Sequence, residues 1–272
     1  MTRKSKSTER NTIHDFGRQW DRFPDPIDCF HSSTEIFLDT LQGLYDPSRL
    51  RGKQVLEVGS GSGRVLEILR RYGPALLVGV EPSSSAAALR NRFSDDPSVE
   101  IIQAEGTVSL ESRFDVCFLI GVLHHIPEPL PVLENIRGSL AEDGDLIVWV
   151  YGREGLAGIG VAMIRLLRIV TVRMPDRVVN ELSKVLSHVV RTYGLLARRS
   201  TRMRLPLEGY LTNVFLRCSR AKQTEIIFDQ LNPQCARYYT QPELQLQLKQ
   251  AGFTTVTLNS RHGYSITARA RR

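Results

Sequence analysis

Five short apolar runs, separated by segments of helical rhythm, constrain the fold of this chain more than any other feature. They are QVLEVG (54–59), ALLVGV (75–80), VEII (99–102), FDVCFLI (114–120) and DLIVWVY (145–151). Runs that are β-branched and almost wholly apolar are the mark of strands buried on both faces of a parallel sheet. Helix-period segments at Val65 to Tyr72, Ser83 to Phe93 and Pro131 to Leu140 fall between most of them. The alternation predicts a doubly wound α/β fold. Ahead of the first run, Ser32-x-x-Glu35 opens a helix with Ile36, Phe37, Leu41 and Leu44 on one face, and Asp46-Pro47 stops it.

After Tyr151 the alternation breaks off. Pro175-Asp176 opens an amphipathic helix whose apolar positions are Val178, Val179, Leu182, Val185, Leu186, Val189 and Val190. The segment 152–237 is therefore expected to be a helical insert set on the sheet. The sheet pattern returns with a capping box at Thr240-x-x-Glu243 and a helix ending at Gly252. FTTVTLN (253–259) and YSITARA (264–270) then flank Ser260 to Gly263 as an antiparallel hairpin. The expected division is a disordered basic tail (1–12), an N-terminal helical lid (13–48), a Rossmann-like core (49–151), an arginine-rich insert (152–237), and a closing helix and hairpin (238–272).

Charge follows this division. Residues 13–151 carry 12 basic and 21 acidic side chains, whereas the insert carries 15 and 6, within a net charge of +7. The four cysteines, Cys29, Cys117, Cys218 and Cys235, show no C-x-x-C spacing, which argues against a disulfide framework and a structural zinc site. The tail MTRKSKSTERNT has no apolar run behind it, so it reads as disordered and not as a secretory signal, and a cytoplasmic protein is expected. In GLAGIGVAMIRLLRIVTVRM the longest uncharged stretch, Gly155 to Ile164, is well short of the ~20 residues a spanning helix needs.

The first strand runs into Glu57-Val-Gly59-Ser60-Gly61-Ser-Gly63-Arg64 and then into a helix. A glycine-rich turn between a parallel strand and a helix N-terminus is a nucleotide-binding crevice, because backbone amides face the ligand and glycine allows its close approach. A dinucleotide fingerprint starting at Gly59 needs glycine where Arg64 stands, and no lysine followed by Ser or Thr makes a P-loop. Both observations weigh against nicotinamide and triphosphate ligands.

The pattern E-x-G-x-G-x-G at the end of strand one resembles motif I of the class I S-adenosylmethionine-dependent methyltransferases. Other positions agree with that family in order. Glu81 and Pro82 end strand two in VGVEPS, Gln103-Ala104-Glu105 follows strand three, and FDVCFLIGVLHHIPEP resembles strand four and its turn. LAEDGDLIVWV resembles strand five, and RYYTQPELQLQLKQAGF with the hairpin resembles the closing helix and strands six and seven.

The resemblance implies S-adenosylmethionine as cofactor. Glu57 and the turn Gly59, Ser60, Gly61 and Gly63 would contact its methionine end, and Glu81 would accept its ribose hydroxyls. Gln103, Ala104 and Glu105 would lie near the adenine, with Gly121 and Val122 lining the pocket. Gln103 departs from the family's usual Asp, though its amide oxygen still accepts hydrogen bonds.

His124 and His125 stand in the turn beside the transferable methyl group. They are candidates for a base and equally for residues that shape the cofactor pocket. A metal reading is poor, since adjacent side chains on an extended chain point to opposite sides. Around them, His14, Asp15, Trp20 and Phe23 suit either a lid or a packing helix. Tyr238 and Tyr239 suit either the acceptor or the surface, and His262 is expected to be solvated.

Specificity is expected in the insert, since loops above the strands are free to vary. Its 13 arginines against 2 lysines, with aliphatic helix faces, suit a small-molecule or lipid-like acceptor with an anionic group, or peripheral contact with an anionic membrane. A helical cap with solvated arginines explains the same pattern. RNA competes as acceptor, but the basic residues lack interleaved aromatic stacking positions. A non-catalytic cofactor-binding protein and a nicotinamide oxidoreductase are the readings from other classes.

Overall fold

Strand order in the computed structural model is β3-β2-β1-β4-β5-β7-β6, a single seven-stranded sheet. The structure describes residues 12–14, 16, 17, 30–110, 113–199, 205–233 and 235–272. Asp15, Trp20, Phe23, Cys29 and most of the basic tail lie outside them. The strands are β1 (Gln54–Val58), β2 (Leu76–Val80), β3 (Val99–Ile102), β4 (Phe114–Ile120), β5 (Leu140–Tyr151), β6 (Thr255–Arg261) and β7 (Ser265–Arg271). β1 to β5 pair in parallel; β7 runs antiparallel between β5 and β6.

The sheet is covered on both faces, which is why its strands read as continuous apolar runs. Helices α1 (Thr34–Leu41), α2 (Arg64–Arg70) and α3 (Ser85–Arg92) bury Phe37, Leu41, Val65, Leu69 and Leu89 against one face. Helix α4 (Pro129–Ser139) and the closing helix of the chain bury Leu133, Ile136, Leu244 and Leu248 against the other. Asp145, 4% exposed, pairs with Arg269 at 2.7 Å and so links β5 to β7.

Boundaries differ from expectation at three places. Ser33, not Ser32, caps α1, its side chain accepting from the Ile36 amide. β5 begins at Leu140, five residues early, because Phe114 pairs with Leu140 before a register shift. The hairpin strands start later than expected, leaving His262, Gly263 and Tyr264 as the loop. His262 is only partly exposed there and stands 3.3 Å from Asp39, which corrects the expectation of a solvated ring.

The insert is helical as expected: α5 (Ala157–Thr171), α6 (Asp176–Arg199), α7 (Glu208–Asn213) and α8 (Arg220–Leu231), before the closing helix α9 (Gln241–Gln250). Its own core is small, with Val179, Phe228 and Leu231 at its centre. Among the described residues no helix is long and apolar enough to cross a membrane. Cys117 and Cys218 are buried, and Cys235 is partly exposed.

Candidate active site

The site is built on the carboxyl ends of β1, β2, β4 and β5, where a doubly wound sheet presents its crevice. Gly59 follows β1 at φ +77°, and a Cβ there would lie 2.4 Å from Val122 Cγ2. Only glycine meets both conditions. Gly63, at φ +80°, caps α2, and a Cβ on it would meet Leu89 Cδ2 at 2.5 Å. That glycine serves helix packing, and it does not line the cavity.

Between them the turn is fastened to β2. The Gly59 amide donates to the Val80 carbonyl at 2.7 Å, and the Gly61 amide donates to Glu81 Oε2 at 2.8 Å. The other carboxylate oxygen of Glu81 accepts from the Ser83 amide at 3.0 Å. Glu81, 4% exposed, thus holds the glycine turn with the group expected to hold a ribose.

A cavity of about 840 Å³ opens above this turn. Glu57, Gly59, Ser60, Gly61, Glu81, Pro82, Glu105, Gly121 and His125 line it. So do Ile159, Met163, Ile164, Leu167, Leu186, Val190, Ile226 and Ile227 of the insert. Gln103, Ala104 and His124 are not on its wall; the exposed Gln103 side chain donates to the Ser83 carbonyl at 3.2 Å.

The donor set fits a cationic ligand with hydroxyl groups. Glu57 Oε2 and Ser60 Oγ are buried without a hydrogen-bond partner. Burial, partly offset by the adjacent Ser60 hydroxyl and then by the charge of Arg64, pushes the Glu57 carboxyl up to about 8. A buried acid whose hydrogen bonds are incomplete is costly unless a ligand completes them.

The two histidines separate in role. His124 is fully buried, neither ring nitrogen has a partner, and burial holds it well below the usual imidazole range. It packs on Tyr151 with centroids 4.0 Å apart. His125 lines the cavity, and its Nδ1 lies 2.8 Å from the Cys235 carbonyl. A carbonyl only accepts, so Nδ1 carries the proton and Nε2 keeps its lone pair. Burial lowers the His125 pKa, against Asp229 and that carbonyl, which raise it.

Three further residues were not found by sequence reasoning. Tyr151 donates to Asp229 Oδ2 at 2.5 Å, and both line the cavity. Tyr151 ends β5, a position that in itself signals the crevice; Asp229, inside the insert, carried no signal. Arg168, 8% exposed, donates to the Gln230 and Ala236 carbonyls and to Tyr238 Oη. It is therefore neither a solvated arginine nor an anion receptor. Tyr238 and Tyr239 are both buried, and Tyr238 lines the cavity. Among the described residues no cluster suits a metal ion.

Fold and turn together define a class: a doubly wound sheet whose glycine turn and carboxylates face one ligand crevice. Residues 34–258 match the family model described as "Methyltransferase domain", so the chain belongs to that family, the class I S-adenosylmethionine-dependent methyltransferases. A tRNA U34 carboxymethyltransferase of Aeromonas hydrophila is 32% identical over 136 residues, 47% of this chain and 42% of that protein. A ubiquinone biosynthesis O-methyltransferase of Neisseria meningitidis is 29% identical over 153 residues, 53% and 63% of the two chains. The chain thus spans less than two thirds of either relative. Among solved structures, an O-methyltransferase from neocarzinostatin biosynthesis, in complex with S-adenosylmethionine and 2-hydroxy-5-methyl naphthoic acid, is similar at 16% identity. Its TM-score is 0.49, with 85% of this chain and 53% of that one covered.

Proposed function

We propose that this protein transfers a methyl group from S-adenosylmethionine to a small, largely apolar acceptor held beneath the helical insert. One observation carries the reading: the glycine turn, the carboxylates and the aliphatic insert residues line the same cavity. The cofactor, when bound, supplies an electrophilic methyl group. Glu57, Ser60 and Gly61 would hold its cationic end, Glu81 its ribose, and Glu105 and Gly121 the remaining wall. Gly63, Gln103 and Ala104 support this site from behind. Glu81→Ala is expected to weaken cofactor binding by about 1–3 kcal/mol, measured by calorimetric titration; unchanged affinity would remove Glu81 from the site.

His125 is the base of this proposal. Its Nε2 accepts the proton that an acceptor hydroxyl or amine sheds as its heteroatom gains the methyl group, while the Cys235 carbonyl fixes the ring. His125→Ala should lower turnover by about 10²- to 10⁴-fold with cofactor affinity nearly unchanged. A matching loss of affinity would make His125 a pocket-shaping residue instead.

RNA is the second reading, favoured by the basic insert and by the tRNA-modifying relatives. Methyl-labelled S-adenosylmethionine, incubated with the protein and a cell extract, separates the two. Label in the lipid or small-molecule fraction supports the first reading, and label in RNA replaces it with the second. Cofactor binding without any label leaves a non-catalytic binding protein.

A further inference from the structure

Helices α5 and α6 carry aliphatic residues on their outward faces as well as on the faces that form the insert's core and line the cavity. On α5 the polar Arg168 and Thr171 face inward, Arg168 to the Gln230 carbonyl and Thr171 Oγ1 to the Leu231 carbonyl at 2.8 Å. Leu166, Ile169 and Val170 face outward, Leu166 being 67% exposed. On α6 the buried positions include Ser183 and Ser187, while Val178, Val185 and Leu196 are exposed, Val185 by 62%. Spacings of seven and eleven residues place these three on one stripe. None of the six lines the cavity.

A helix in contact with water places its apolar stripe against the core, and a contiguous outward stripe marks an interface. The charges around it choose the occupant. Within 157–199 the exposed cations are Arg165, Arg173, Arg177, Lys184, Arg198 and Arg199, against one exposed carboxylate, Glu181. A second copy would set these cations against themselves, and RNA would leave the aliphatic stripes unsatisfied. Aliphatic stripes flanked by arginine match a bilayer interface with anionic headgroups.

We propose that the outward face of α5 and α6 docks on an anionic lipid surface. Ile159, Met163, Leu167 and Val189 of the same helices are exposed and also line the cavity. An apolar acceptor therefore has a route from lipid to the site between these helices; this last step rests on the proposed methyl transfer, the docking itself does not.

The test is sedimentation of the full chain, without cofactor, with vesicles of phosphatidylcholine alone or of equal parts phosphatidylcholine and phosphatidylglycerol. The wild type should partition onto the mixed vesicles at least tenfold more strongly than onto the neutral ones. A Leu166→Asp, Val170→Asp double variant should lose tenfold or more of that binding, with its melting temperature and cofactor affinity unchanged. No partition by the wild type, or equal partition by the variant, overturns the proposal. So does a wild-type dimer, indifferent to vesicles, that the double variant dissociates, since the face then belongs to a second copy. Because cofactor is absent, failure of methyl transfer leaves this result untouched.

Discussion

Replacing Glu57 by glutamine makes the cofactor-free protein more stable at pH 8 by about 2–4 kcal/mol and leaves it nearly unchanged at pH 4. The carboxyl rises from 4.5 to about 8 on folding because burial disfavours its charged form. Below pH 4.5 it is protonated in both states and costs nothing. Between there and pH 8 the unfolded chain ionises while the folded one does not, so stability falls as pH rises. Glutamine has no proton to lose. Urea titrations of both proteins at pH 4, 6 and 8 give the difference directly, and a constant difference across that range would refute the assignment.

In the proposed site the same proton governs cofactor binding. A cationic ligand facing Glu57 needs the carboxylate, so wild-type affinity for S-adenosylmethionine should climb up to about tenfold per pH unit toward pH 8, then level off. Glu57→Gln should bind weakly with a flat profile. The protein is thus less stable without its cofactor at neutral pH than its core alone would make it.

Gly59→Ala should destabilise the protein by about 2–5 kcal/mol, the sum of about 1–2 for a left-handed alanine and about 1–3 for overpacking. Two causes act at one position: φ is +77°, and the new Cβ would lie 2.4 Å from Val122 Cγ2. They can be separated. Gly59→Ala in a Val122→Ala background should recover the steric share, though not the backbone share, and thermal unfolding of the four proteins measures the coupling. Full recovery would show that backbone strain is absent; no recovery would show that Val122 yields freely.

Much of this was legible in the sequence because burial on both faces writes itself as uninterrupted apolar runs. β1 to β4 were located to within a residue or so, and Thr240 and Glu243 do form a capping box. The glycine turn was legible for a similar reason, since close backbone approach leaves no choice of residue at Gly59. What escaped depends on pairing between distant segments. Nothing near Asp229 announces Tyr151, 78 residues away, and nothing near Arg168 shows that its guanidinium serves backbone carbonyls in the insert. The amphipathic pattern of α6 was visible, but periodicity gives the stripe without saying which way it faces.

The two ends of the insert are stitched to each other as well as to the sheet. Tyr239 donates to the Tyr151 carbonyl, and Arg153 donates to the Tyr239 carbonyl at 3.0 Å. The Arg237 amide donates to the His124 carbonyl at 2.8 Å, one residue from the ring that Cys235 orients. Chain leaves and rejoins the sheet at one narrow seam, so the insert behaves as a cassette whose interior can be rewritten while the seam stays fixed. The seam also carries the His125 ring, held by the Cys235 carbonyl, so a change in the insert's last turn would move that imidazole at the cavity wall in the same stroke.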